Sequence, residues 1–146
     1  MPEARVPAAR APLTRAMPSR GLRGWIGPVL VTALAGVLRF VNLGRPDAII
    51  FDETYYVKDA LALLRFGYER KAVEGADDMI LAQDAPWDQL DIFDLDPAFV
   101  VHPPLGKWVI AAGESVFGVT PFGWRIPMAI IGILSVLLLA RIVRRL

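Results

Sequence analysis

The chain has 146 residues, 55% of them hydrophobic, with a mean hydropathy of +0.45 and a formal net charge of +1; this is more apolar than a soluble domain of its length requires and points to lipid as one of its solvents. The small net charge hides three blocks: residues 1–24 hold five arginines against Glu3, residues 45–121 hold fourteen acidic and six basic side chains, and the last six residues add Arg141, Arg144 and Arg145. With no cysteine present, disulfide frameworks, thiolate zinc sites and thiol catalysis are excluded.

Residues 1–24 are rich in Pro, Ala and Arg, show no apolar periodicity and read as a disordered basic tail on the cytoplasmic side. From Trp25 to Leu43 runs WIGPVLVTALAGVLRFVNL, nineteen residues interrupted only by Arg39 and Asn42 and about long enough to cross a hydrocarbon core. A cleavable signal peptide is the rival reading, because the small residues at 33–35 follow a basic start and an apolar run. The hydrophobicity continues past that point, however, which favours a retained transmembrane helix over 25–43.

Residues 44–121 are expected to lie outside the membrane. Within them a helix over about 53–67 carries Tyr56, Ala60, Leu63 and Leu64 at helical spacing, with Asp52 or Thr54 suited to cap its start. Its amphipathic character predicts that it lies on the membrane surface. Residues 70–96 hold Asp77, Asp78, Asp84, Asp88, Asp91, Asp94 and Asp96 among small and turn-forming residues, the pattern of an irregular solvated loop. A second surface helix over about 104–117 begins at Pro103-Pro104 and has Trp108, Ala111, Ala112, Ser115 and Val116 as its apolar side.

A second span follows over 122–140, FGWRIPMAIIGILSVLLLA, and stops at the basic end 141–146. Arginines at the outer ends of both spans place both termini in the cytoplasm. The expected architecture is therefore an all-α integral protein of the plasma membrane, with two transmembrane helices joined by an external loop. No nucleic-acid partner is expected.

Three features of this frame carry chemistry. Arg39 and Arg125 sit inside apolar spans, where a charge costs on the order of 2.5–3.5 kcal/mol. Topology brings both to the outer membrane face, where two guanidinium forks suit a lipid-linked phosphate; the alternative is that each snorkels to the headgroups as an anchor. Asp52 and Glu53 are adjacent carboxylates just after Ile49-Ile50-Phe51. Neighbouring helix positions diverge, so one can act as a general base while the other orients, or Asp52 can simply cap the helix. His102 and Lys107 flank Pro103-Pro104-Leu105-Gly106 near the same face and could touch substrate. One histidine without cysteine supplies a transition-metal site poorly, and the acidic stretch lacks the ligand spacing of an EF-hand.

Taken together, an arginine late in the first span, Asp52-Glu53 in FDETYYVKDA, then VHPPLGKW, then Arg125 opening a second span closely resembles the protein O-mannosyltransferases. The likeness is to the actinobacterial branch of these multi-pass GT-C glycosyltransferases and covers about residues 25–146. It implies inverting transfer of mannose from a polyprenyl-phosphate-mannose donor to Ser or Thr hydroxyls of an exported polypeptide, with no metal or other cofactor. It further implies Asp52 and Glu53 as the catalytic pair and Arg39, His102, Lys107 and Arg125 as substrate-binding residues. By this resemblance the chain is expected to correspond to the N-terminal portion of such an enzyme and to be inactive alone. Two other readings stay open at this point, a different lipid-phosphate-sugar GT-C transferase and a non-enzymatic two-pass scaffold.

Overall fold

A computed structural model of the chain describes residues 21–83 and 85–145; of the expected disordered basic tail over 1–24, residues 1–20 lie outside this range and Leu22 to Gly24 belong instead to a 3-10 turn. After a 3-10 turn at Leu22–Trp25 come helices α1 (Ile26–Phe40) and α2 (Glu53–Phe66), strand β1 (Arg70–Ala72), helix α3 (Ala76–Ala82), strand β2 (Phe93–Pro97), and helices α4 (Pro104–Phe117) and α5 (Pro121–Arg145). The chain is mostly helical rather than all-α, because β1 and β2 pair antiparallel as a two-stranded sheet.

Two helical stretches, Leu22–Phe40 and Pro121–Arg145, are long and apolar enough to cross a membrane, and little of either is buried within this chain. They pack side by side in opposite directions. At one end the Arg125 side chain reaches the Leu43 carbonyl, and at the other Arg144 donates to the Gly21 carbonyl and lies over the Trp25 ring. Pro28 is accommodated in the first turn of α1, where its missing N–H costs no helical bond.

Helix α2 forms because straight-chain and alanine residues fill ETYYVKDALALLRF and Gly67 stops it with φ 78°, accepting the left-handed cap that other residues resist. Its buried residues are Val57, Ala60, Leu61, Ala62 and Leu63; of the expected stripe, Ala60 and Leu63 are buried and Tyr56 and Leu64 only partly so. Val57 and Leu61 join Ala76, Ile80, Leu90, Ile92, Val119 and Trp124 in one apolar core.

That core corrects the reading of residues 70–96 as irregular. Between the aspartates stand Ile80, Leu90 and Ile92, each buried, and they fold the acidic stretch over α2 and the start of α5. The acidic side chains stay at the edges: Asp77 accepts from Thr54 Oγ1 at 2.5 Å and from Lys58 Nζ at 2.6 Å.

Helix α4 starts at Pro104 as expected of a first-turn proline, and of its expected apolar side only Ala111 is buried within this chain. Lys107, Ala111 and Glu114 are buried, whereas Trp108 and Val116 are exposed. Gly113 brings α4 against α5: a Cβ there would fall 2.3 Å from the Gly123 carbonyl oxygen and 2.5 Å from Pro127 Cγ.

Candidate functional site

The link into α2 sets the geometry. The Glu53 N–H donates to the Ile50 carbonyl at 3.0 Å, and the Ile50 N–H donates to Glu53 Oε2 at 3.0 Å. Phe51 turns the corner at φ 52°, a left-handed conformation unfavourable for a bulky side chain. No side chain caps α2 as was expected of Asp52 or Thr54: Asp52 makes no cap bond, Thr54 is engaged with Asp77, and the N–H groups of Glu53, Thr54 and Tyr55 go to the carbonyls of Ile50, Phe51 and Asp52.

Glu53 is also half of a bidentate ion pair. Arg125 Nε donates to Oε1 at 2.7 Å and Nη2 to Oε2 at 2.8 Å. The remaining donors of the guanidinium go to the carbonyls of Leu43 (3.3 Å), Pro46 (3.0 Å) and Ala48 (2.9 Å). All five N–H groups of the fork are therefore engaged, and Arg125 staples the end of α1, the 43–48 link and α2 to the start of α5. Burial alone would raise the Glu53 carboxyl, but the hydrogen bonds from Arg125 and the Ile50 N–H and the Arg125 charge outweigh it, so it is held below the ordinary 4.5.

Asp52 differs in every respect. It is exposed, and among the described residues its carboxylate has no hydrogen-bond or ion-pair partner. Two clefts meet at it and at Tyr56. The inner one, about 480 Å³, is lined by Arg39, Asp52, Glu53, Trp124, Arg125 and Met128 among others. The outer one, about 570 Å³, is lined by Asp52, Tyr55, Lys58, Arg70, Phe99 and His102 among others.

Arg39 reaches the inner cleft across α5. Its Nε lies only 2.6 Å from where a Cβ on Gly132 would stand, so the glycine clears its path. Its one hydrogen bond among the described residues is long, 3.3 Å to the Ala35 carbonyl, leaving most of its fork available. His102 stands in the outer cleft with its ring 5.7 Å from that of Tyr56.

Lys107 lines the same cleft, yet its ammonium is buried and committed. Nζ lies 2.9 Å from Asp59 Oδ2 and 2.8 Å from Glu69 Oε2. Burial would lower its pKa, but the hydrogen bonds and charges of Glu69 and Asp59 outweigh that and raise it above 10.5. It stays charged and ties α4 to α2 and to the start of β1, which fixes the His102-Pro103-Pro104 entry over Tyr56. Among the described residues no group of three or more carboxylates or histidines converges as a metal site would.

The structure thus brings Arg39, Asp52, Glu53 and Arg125 together at one cleft and Asp52, His102 and Lys107 at the other. Sequence reasoning missed Tyr56, Asp59, Glu69 and Trp124. Asp59 lies seven residues after Asp52 and so on the same helical face, a signal that was legible. Glu69 and Trp124 come close only through the fold.

Residues 101–146 match the family model of dolichyl-phosphate-mannose-protein mannosyltransferases. The chain is 41% identical over 142 residues to the polyprenol-phosphate-mannose–protein mannosyltransferase of Mycobacterium tuberculosis, a match covering 95% of this chain and 23% of that protein. The enzyme of the same name from Mycolicibacterium smegmatis is 36% identical over 84% of this chain and 20% of its own length. That from Corynebacterium glutamicum is 35% identical over 80% and 20%. The chain therefore spans between a fifth and a quarter of the length of these curated relatives. No solved structure matches it.

Proposed function

We propose, from the premise that the chain belongs to the polyprenol-phosphate-mannose–protein mannosyltransferase family, that it supplies the acidic pair and a phosphate-binding arginine for transfer of mannose from a polyprenyl-phosphate-mannose donor to Ser or Thr hydroxyls of an exported polypeptide. The observation that carries the reading is the Asp52 carboxylate, which has no partner among the described residues, at the junction of two clefts, beside a Glu53 that Arg125 immobilises.

In this reading the inner cleft takes the donor's sugar-phosphate, with its lipid along the exposed flanks of α1 and α5. The outer cleft takes the acceptor. As the acceptor oxygen forms its bond to the anomeric carbon, Asp52 accepts the hydroxyl proton, the bond from that carbon to the phosphate oxygen breaks, and the electron pair leaves with the phosphate. Attack opposite the leaving group inverts the anomeric centre. Arg39, whose fork is mostly unoccupied, stabilises the phosphate as its charge grows. Arg125 is assigned to holding Glu53 and the α2 entry rather than to direct phosphate contact, since its donors are engaged. Glu53 in turn fixes the turn that aims Asp52. His102 and Tyr56 border the acceptor side, and Lys107 holds them in place. The helices α2 and α4 lie on the external membrane surface, and both termini are cytoplasmic.

The test measures radiolabelled mannose transfer from polyprenyl-phosphate-mannose to a Ser/Thr acceptor peptide by the transferase that contains this chain. Asp52→Asn removes the proton acceptor but keeps shape, so turnover should drop by roughly 10² or more with donor affinity nearly intact. Arg39→Ala should weaken donor binding and transfer together, and Arg39→Lys should restore only part of the loss. Near-normal turnover in Asp52→Asn would rule out this carboxylate as the base.

A further inference from the structure

The short sheet beside the outer cleft has an unclaimed edge. The Ala98 N–H donates to the Glu69 carbonyl and the Val73 N–H to the Ile92 carbonyl, both at 3.0 Å. Main-chain groups alternate in direction along a strand, so those of 69, 71 and 73 face β2 while those of Arg70 and Ala72 face the opposite way. Among the described residues the sheet has only β1 and β2, so nothing pairs with that outer edge.

The edge is aimed at the cleft that holds Asp52. Arg70, Lys71 and Ala72 all line it; three consecutive residues border one cavity when a strand presents its edge, because a face presents only alternate residues. Exposed strand edges are usually blunted by charge, and here the nearest charges are drawn aside. The Arg70 guanidinium lies 4.0 Å from the Phe66 ring centroid and donates to the Tyr68 hydroxyl, and Lys71 lies 4.0 Å from Asp94. Across the cleft Tyr55, Phe99 and Val101 are 63%, 89% and 61% exposed, largely apolar walls left open by the described residues.

We propose that the acceptor polypeptide docks as a third strand on the free edge of β1, its main chain hydrogen-bonding Arg70 and Ala72 so that side chains of one parity project toward Asp52. This deepens the mannosyl-transfer reading and rests on it. Main-chain pairing supplies affinity that is largely independent of sequence, while Tyr55, Phe99 and Val101 contact the flanking side chains. The period of two then sets which hydroxyls are reached from one register, those at i and i+2 but not i+1.

The experiment uses the intact transferase and a set of acceptor peptides with a single Ser, each N-methylated at one backbone position. Methylation at positions whose N–H meets β1 should raise the peptide KM by about tenfold, and at the intervening positions by little, giving a pattern that alternates with residue number. Ala72→Pro removes an outward N–H without touching the bonds to β2, as edge strands tolerate, and should raise the peptide KM while leaving the donor KM unchanged. A peptide KM indifferent to N-methylation at every position would overturn the docking mode even with transfer intact. Absence of transfer with unmodified peptide, in contrast, would strike at the mannosyl-transfer reading itself.

Discussion

Asp52 and Glu53 are chemically near-identical neighbours that the fold treats as opposites. Glu53 accepts from Arg125 and from the Ile50 N–H, and its depressed pKa means that it contributes stability above pH 4.5 that is lost as pH falls through its folded value. Glu53→Gln should therefore destabilise the protein in detergent by about 1–3 kcal/mol at pH 7. The deficit should shrink as the pH falls below 4, which a thermal-melting series would show; a deficit constant with pH would mean that the charge of Glu53 is not what holds the turn. Glu114 is the reverse case. It is fully buried, both its oxygens lack a partner among the described residues, and burial pushes its pKa from 4.5 up to about 8. Between those values the folded chain holds a proton that the unfolded chain releases, so stability falls as pH rises across that window, at up to about 1.4 kcal/mol per pH unit. Glu114→Gln cannot titrate, so its melting temperature should gain on the parent's progressively from pH 5 to 8. Parallel curves would show that Glu114 is ionised or solvated.

At the scale of elements, α4 explains both what the sequence shows and what it hides. Its start at Pro104 is visible, but the face it buries is not, because Lys107 reaches the interior only by meeting Asp59 and Glu69. A polar residue with two buried partners contributed by other elements looks, in sequence, like a solvated one. The aspartate-rich stretch misleads for a related reason: three well-spaced apolar residues, Ile80, Leu90 and Ile92, suffice to seat it on α2, yet they form no regular period. The two long apolar helices were legible because nineteen predominantly apolar residues, broken by one or two polar ones, have few other uses. The grouping of Arg39, Asp52, Glu53 and Arg125 at one cleft was legible from membrane depth alone, whereas the pairing of Arg125 with Glu53 needed the turn at Phe51. Packing of α4 on α5 can be tested at its glycines. Gly113→Ala places a methyl 2.3 Å from a backbone carbonyl and should cost about 1–3 kcal/mol. Gly106→Ala in the same helix meets nothing within 4 Å and should be neutral or slightly stabilising. Equal melting temperatures for the two variants would mean that α4 does not sit against α5 as described.

For the whole molecule, the antiparallel contact of α1 with α5 couples the two candidate spans. Arg125 meets Leu43 at one end and Arg144 meets Gly21 at the other, so if both helices cross the bilayer, both chain ends lie on the same side. Which side follows from charge. Residues 45–121 carry a net −8 while arginines cluster beyond both outer ends, so the loop with Asp52 is expected outside and the termini in the cytoplasm. The apolar exteriors of α1 and α5 fit that arrangement, since Leu30, Leu34, Leu38, Leu134, Leu138 and Leu139 are all exposed on this chain and need lipid or further helices against them. Because the chain contains no cysteine, a single introduced thiol reports its own location without background. Gln89 is exposed on the loop, so Gln89→Cys should react with a membrane-impermeant maleimide in intact cells, whereas Ser19→Cys should react only after permeabilisation. The reverse pattern would place Asp52 in the cytoplasm, where it could not act on an exported polypeptide, and the proposed reaction would fail on compartment before any question of chemistry arose.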